Sequence, residues 1–562
     1  MIPAQFPPPV QADEFVMAPA APPDGRIEVG VLFVGAGPAS LAGAIRLAQL
    51  LETDAELKAS LGEMPIVVVD KGKYPGAHLL SGAVLNPSGF KKLFPDTKME
   101  ELPFFGPVPG EKVYFLTENR SFALPILPPT MQNHGNYVAS LSKVGKWMGE
   151  KAEELGVTLL NETAAYKLVV EGGAVRGIRV GDKGLDRDGK PMSNFEEGPE
   201  IHARFTVLGE GTQGHLTQAA LSHFKIDRPA PQIYSLGVKE VWQVKKPLDR
   251  VIHTLGWPLR AGASFNEFGG SFCYPLGPDR VSIGLVVGLD YRDASLSVHD
   301  LFQRMKKHPL FAEVLAGGKR EERGWGAKTI PEGGYWSLPQ RLYAPGACFV
   351  GDAAGFVNVP TLKGIHYAMW SGIYAAEEIF KSLKAKTDPA AAGALAGYDQ
   401  AVRSSFIGSD LYEVRNVRQA FRYGLYVGGA IAGLMTLTKG AFPGGQWETH
   451  ADASYPMFDT GLEFPKADGG LTFDKLDSAF ASGNRSRDNQ PNHIRVDAQA
   501  PELLGKTWDR MCPAGVYEWH EKDGKKVLFV NSTNCIHCGA ITAKGGRLTP
   551  PEGGSGPEYT LM

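Results

Sequence analysis

The apolar positions near the start of the chain predict a strand that runs into a helix. Val31 to Val34 is a run of β-formers. It ends in Gly35-Ala36-Gly37-Pro38-Ala39-Ser40 and continues as an Ala- and Leu-rich helical stretch. A second β-rich run, Pro65 to Val69, ends in Asp70, and Glu52 to Met64 reads as a polar insertion between the two. Much later, CFVGDAAGFVNVP (Cys348 to Pro360) carries an apolar strand into Gly351-Asp352, and a helix is predicted over His366 to Lys381. Two apolar segments fit neither pattern. Phe104 to Met131 contains PFFGPVP and FALPILPPT, where prolines break regular structure and large side chains are expected at an exposed hairpin. Tyr423 to Thr438 is a run of 16 uncharged residues, rich in glycine; a membrane-spanning helix needs about 20. Residues 1–26 are rich in Pro and Ala and are expected to form a disordered lead-in, with neither a signal-peptide core nor an Arg-rich transit sequence. Ser482 to Glu502 reads as a charged loop, and no tandem repeat is visible.

At 562 residues the chain is long enough for two to four domains. A net charge of −3 gives no reason to expect nucleic acid as a partner. The 68 glycines and 41 prolines show no collagen-like period, so the composition points to a loop-rich α/β protein. Five cysteines, an odd number, argue against a secreted disulfide framework. Cys273 and Cys348 lie among apolar residues and read as inert core thiols.

The strand, glycine turn and helix at residues 31–46 form a dinucleotide-binding signature. Gly35 permits the tight turn, and Gly37 lets backbone approach a pyrophosphate at the helix N-terminus. Ser40 stands where Gly or Ala is usual and is small enough for close packing. Asp70 is placed for a ribose hydroxyl, and Lys71 follows it. The second signature, Gly351-Asp352, selects flavin over nicotinamide: the Asp352 carboxylate would reach the ribityl chain. No second Gly-x-Gly-x-x-Gly occurs, so electrons are not expected to arrive from NAD(P)H. The scattered histidines read mostly as structural. His78 and His366 sit in flavin-side motifs. No catalytic triad or His-Glu-x-x-His motif stands out.

Three of the five cysteines, Cys512, Cys535 and Cys538, fall within 27 positions. A Cys-x2-Cys pair with a third Cys upstream resembles an iron–sulfur ligand set, one ligand short of four. Soft thiolates suit Fe–S or Zn rather than hard cations.

On longer motifs the chain resembles the electron transfer flavoprotein–ubiquinone oxidoreductase family from about Ile27 to Met562. These motifs include GAHLLSGAVLNP, NHGNYVASLSKVGKWMGEKAEELGV, HTLGWPL, FGGSFCYPL, GLVVGLDYRDASLS, NVPTLKGIHYAMWSGIYAAE, LYEVRNVRQ, CPAGVYE and PEGGSGP. The resemblance implies an oxidoreductase that takes single electrons from reduced electron transfer flavoprotein, holds FAD and an iron–sulfur cluster, and reduces ubiquinone or menaquinone. It implies a monomer seated on one leaflet, at a bacterial inner membrane or, in a eukaryote, the mitochondrial inner membrane. The implied FAD residues are Gly35, Gly37, Ser40, Asp70, Lys71, His78, Ser81, Gly82, Gly351, Asp352, Lys363, Gly364 and Ile365. Gly269 and Gly270 match the family's quinone-pocket glycines, although spacing alone favours a plain strand bend. Cys512, Cys535 and Cys538 match three cluster ligands, and Ile541 stands where the family has its fourth. Three arrangements stay open: a [3Fe–4S] cluster, a [4Fe–4S] cluster completed by water, backbone or a side chain such as Thr542, or no cluster.

The expected fold class is α/β and α+β. A discontinuous FAD-binding Rossmann-like domain spans 27–225 and 330–420 and includes the hairpin at about 104–131. A mixed-sheet quinone domain follows at 226–329, then a membrane-surface helix at 421–442. A ferredoxin-like iron–sulfur domain closes the chain at 443–562. Arg415, Arg418, Arg422 and Lys439 are expected to reach lipid phosphates beside the apolar helix. Two rival functions remain: an FAD-dependent oxidoreductase or monooxygenase acting on a small lipid-like substrate, and a flavin-binding scaffold with a degenerate cluster domain.

Overall fold

A computed structural model describes residues 1–562 except Ala83, Ala498 and Asp523. The glycine-turn strand, Arg26–Val34, lies inside a nine-stranded sheet, parallel to Glu200–Leu208 on one side and Ile66–Val69 on the other. Val31, Leu32 and Phe33 are wholly buried, as expected of a parallel strand covered on both faces. Ala347–Phe349 joins the far end of Glu200–Leu208, also parallel. This adds a strand from 141 residues downstream to the strand end where the glycine turn sits.

The helix after the turn, Pro38–Leu51, crosses the helix Ile365–Lys384 at backbone distance. A β-carbon on Gly372 would come within 1.9 Å of the Ala39 carbonyl oxygen, and one on Gly43 within 2.9 Å of the Gly372 oxygen. This close crossing brings both helix N-termini to the same end of the sheet.

The second sheet has seven strands, in the order Lys319–Pro331, Tyr234–Gln243, Arg280–Gly288, Gly269–Pro275, Val251–Gly256, Glu111–Leu116 and Ser121–Ala123. The 104–131 hairpin was expected within the FAD domain. Instead Glu111–Leu116 pairs parallel with Val251–Gly256, so the hairpin extends the second sheet. Local sequence cannot report that, because the pairing partner lies 140 residues away. The second-sheet core runs on without a break into the C-terminal region, through Trp508, Cys512, Cys535 and Ile541. That region holds short helices, 3-10 turns and two-stranded ladders. One ladder joins Ile494–Arg495 to Arg547–Leu548, so the Ser482–Glu502 loop contains a short strand.

The lead-in also departs from expectation. Val16–Met17 adds a parallel strand at the edge of the first sheet. Phe15 is 3 % exposed, edge-on to Tyr166 and His215. The Met1 carbonyl accepts a bond from the Met457 amide at 2.7 Å. A few apolar anchors in pre-formed slots order a segment whose composition alone reads as disordered.

The uncharged run forms the helix Gly424–Leu437. Its Tyr426 lies 6.1 Å from Phe115 of the hairpin sheet, so the two apolar segments meet in space. Tyr426, Val427, Leu437 and Phe442 on one, and Phe122 and Ile126 on the other, are exposed. Among the described residues, no helix is long and apolar enough to cross a membrane.

Candidate cofactor cavity and cluster site

The two helix N-termini open on one large cavity between the sheets. Gly35 has φ +92°, and a β-carbon there would come 2.7 Å from the Gly209 carbonyl oxygen, so the turn itself requires glycine. Gly37 differs. A β-carbon on it would meet nothing closer than 3.9 Å, so the protein's own packing does not demand this glycine. It leaves bare backbone at the cavity wall, where a pyrophosphate can approach the N-terminus of Pro38–Leu51. Gly364 caps the second helix, and Ile365 begins it beside the same space.

Every sequence-derived flavin residue except Ser40 lines this cavity. Ser40 is fully buried, and a β-carbon on Gly209 would lie 2.2 Å from its hydroxyl, so it packs helix against turn. The Asp70 carboxylate accepts the Ala36 and Gly72 amides, both at 2.7 Å, and so fixes the turn as well as facing the cavity. Asp352 accepts the Thr212 hydroxyl at 3.3 Å, and burial raises its pKa to about 6. His366 does not line the cavity; it packs on Tyr367 and Phe406. The open Gly37 cradle, the two helix N-termini and an unpartnered, buried His78 Nδ1 fit a bound dinucleotide.

Sequence reading missed part of the wall. The turn Gly209 to Thr212, at the end of Glu200–Leu208, lines it; a strand ending in GEGTQG was the available signal. The second sheet supplies Lys239, His253, Tyr274 and Lys328, lone residues within strands that nothing in the local pattern marks. The Lys239 ammonium donates to the Ser81 carbonyl at 3.0 Å, and burial lowers its pKa to about 7. His253 Nε2 pairs with the Tyr274 hydroxyl, and burial holds this histidine neutral, near 3. Gly269 and Gly270 do not line the cavity. A β-carbon on either would strike a carbonyl oxygen, of Val286 at 2.0 Å or of Thr254 at 2.4 Å, so strand packing requires glycine at both.

Behind the wall sit the thiols. The Lys328 ammonium reaches past the cavity to the His537 carbonyl at 3.0 Å, and burial lowers its pKa to about 8. Lys71, also lowered by burial, feels both Asp70 and Cys535. A smaller cavity lined by Asp70, Lys71, Lys328, His537 and Gly539 joins the two regions. The His537 ring lies edge-on between His78 at 5.6 Å and His493 at 5.1 Å. Both ring nitrogens of His493 and of His537 are buried without partners. One donor atom from each lies within 4.8 Å of the other and of the Cys535 sulfur. Cys512, Cys535 and Cys538 share one apolar cluster, and burial raises all three thiol pKa values, Cys538 to about 12, with neighbouring thiol charge adding to the rise at Cys535 and Cys538. Buried thiols raised this way are costly as thiolates unless cations take up the charge, and that suits an iron–sulfur cluster. Cys273 and Cys348 lie elsewhere, fully buried.

A two-helix dinucleotide cradle against a buried thiol cluster defines an iron–sulfur flavoprotein oxidoreductase. The comparisons with known proteins agree. Family models for "ETF-QO, ubiquinone-binding" and "Electron transfer flavoprotein-ubiquinone oxidoreductase, 4Fe-4S" match residues 234–330 and 469–560. The chain is 39 % identical to the mitochondrial electron transfer flavoprotein-ubiquinone oxidoreductase of Dictyostelium discoideum, over 96 % of this chain and 92 % of that protein. It is 39 % identical to the human mitochondrial enzyme, over 95 % and 89 %, and 37 % identical to a probable bacterial one from Acinetobacter baylyi, over 95 % and 99 %. A geranylgeranyl bacteriochlorophyll reductase-like protein of Thermoplasma acidophilum shares the fold, with a TM-score of 0.56, 18 % identity, and coverage of 74 % of this chain and 97 % of that one. The chain belongs to the electron transfer flavoprotein–ubiquinone oxidoreductase family, and its cofactors are FAD and an iron–sulfur cluster.

Proposed function

We propose that this protein oxidises reduced electron transfer flavoprotein and reduces a membrane quinone. The observation that carries this reading is the position of one cavity between a thiol cluster and an exposed apolar surface. On one side, Lys71, His78 and Lys328 separate it from His537 and Cys535 by a single layer of residues. On the other, Met131 and Asn133 line it at the foot of the hairpin that exposes Phe122 and Ile126. FAD, when bound, converts between one- and two-electron transfer. Gly37 and the N-terminus of Pro38–Leu51 would hold its pyrophosphate, the N-terminus of Ile365–Lys384 opens on the same cavity, and Asp70 holds the turn. Lys239 and the His253–Tyr274 pair are the cavity groups placed to hold a proton beside a reducible ring.

The exposed face of Gly424–Leu437, with Phe442 and Ile126, sits at the acyl boundary of one leaflet, and the protein acts as a peripheral membrane enzyme. Arg422 and Lys439 are the outward cations there. Arg415 and Arg418, expected to meet lipid, are buried: Arg415 binds the Tyr412 and Gly440 carbonyls, and Arg418 pairs with Asp290 and Glu332. The full-length relationship disfavours a monooxygenase or a redox-silent scaffold.

The test is to mix purified protein with enzymatically reduced electron transfer flavoprotein and a short-chain quinone. Quinone reduction that requires both components is expected. A bound flavin that stays oxidised in the presence of the reduced donor would overturn the proposal.

A further inference from the structure

We infer that the cluster in this chain holds three irons, although the family model describes a 4Fe-4S domain. The inference rests on the cluster reading above and concerns the corner where a fourth thiolate would stand. A Cys-x2-Cys-x2-Cys spacing places the next ligand at 541, and that residue is Ile541.

The structure fills this corner with hydrocarbon. Ile541 is 7 % exposed and belongs to the same apolar cluster as Cys512 and Cys535, with Cys538 packed against it. A β-carbon on Gly546 would come 2.5 Å from Ile541 Cγ1 and 3.0 Å from Val496 Cγ1, so the side chain packs tightly against Gly546 beside Val496. A water ligand needs space and polar partners, and the Ile541 side chain supplies no polar atom to hold one there.

The other donors on the turn are committed. The Thr542 hydroxyl accepts the Leu548 amide at 3.3 Å. The Ile541 carbonyl accepts the Gly545 and Gly546 amides. The Lys544 ammonium donates to the Tyr291 and Asp452 carbonyls, each at 3.0 Å.

Among the described residues, the unpartnered imidazole nitrogens nearby are those of His493 and His537, beside Cys535. His537 faces His78 on the cavity wall. One ring nitrogen of His493 lies within 4.8 Å of the Cys535 sulfur, as does one of His537, so both stand beside Cys535. Three thiolates and an aliphatic fourth corner hold three irons. A fourth iron would have no thiolate, and among the described residues the unpartnered imidazoles nearby stand beside Cys535 rather than at 541.

The experiment uses the full-length holoprotein, purified and reconstituted anaerobically with excess ferrous iron and sulfide. The expected result is three irons and four sulfides per FAD. The expected EPR signal is present in the oxidised protein and is lost when one electron is added. Ile541→Cys is expected to raise the iron content to four and leave the oxidised cluster EPR-silent. Four irons in the wild type, with a signal only on reduction, would overturn the inference. ¹⁴N coupling in that signal would assign the fourth corner to His493 or His537. No iron at all would overturn both the inference and the cluster reading. A three-iron protein that fails to reduce quinone would instead sink only the proposed activity. The wild-type stoichiometry decides the question even if Ile541→Cys does not fold.

Discussion

Replacing Arg418 with Met should cost the protein more than any surface charge would. The guanidinium is 5 % exposed and forms two bonds, to Asp290 at 2.7 Å and Glu332 at 2.9 Å, with both carboxylates about equally buried. It also lies 4.0 Å from the centre of the Phe268 ring. Removing one partner of a buried pair costs about 3–5 kcal/mol, because the other charge stays desolvated; here two carboxylates are stranded. For a cooperative unit of about 150–250 residues that corresponds to a fall in melting temperature of roughly 6–20 °C. The pH dependence gives a second readout. Burial already raises the Glu332 pKa, and Arg418 opposes that rise. Without Arg418 the folded-state pKa climbs further above the unfolded value. The folded state then binds more protons than the unfolded one, and stability falls with rising pH. The deficit of Arg418→Met should therefore be largest at neutral pH and shrink toward pH 5. Adding Glu332→Gln should restore part of the loss, because one stranded charge is gone. Calorimetry across pH checks all three expectations. A variant within about 1 kcal/mol of wild type at pH 7 would refute the reasoning, since an ion pair worth that little behaves as a solvated one.

Gly372→Ala should empty the cofactor cavity, because its β-carbon would strike the Ala39 carbonyl oxygen and force the two N-termini apart; the flavin-to-protein ratio after gel filtration measures this. Lys239→Met should stabilise the protein at pH 7, because a lysine whose folded pKa is lowered to about 7 by burial penalises folding below that pH. The wild type should gain stability between pH 7 and about 10.5 as that penalty disappears, and the variant should not; denaturant midpoints across this range decide. Ile126→Asp with Leu437→Asp should weaken vesicle binding at least tenfold, since each apolar side chain contributes about 1.5–3 kcal/mol when buried, while FAD content stays unchanged; equal sedimentation of both proteins with liposomes would refute the membrane face.

Sequence and structure each account for a definable share. Gly35, Gly37, Asp70 and Asp352 were legible because turns and helix N-termini are local: the residues that make them are neighbours in the chain. Lys239, Lys328 and His493 were not, because their roles depend on which distant strand lies opposite. The lead-in was misread for the same reason: the slots that hold Phe15 and Met1 are built by residues far along the chain.

The sequence by itself determined the dinucleotide turn, the three thiols and the absence of a fourth at Ile541, since these are statements about which atoms the chain possesses. Only the tertiary structure decided that the hairpin and the Gly424–Leu437 helix share one exposed face, that Arg415 and Arg418 turn inward, and that hydrocarbon closes the corner at Ile541. Those outcomes depend on burial and packing between segments as far apart as Phe115 and Tyr426, and a one-dimensional pattern does not encode which segments meet.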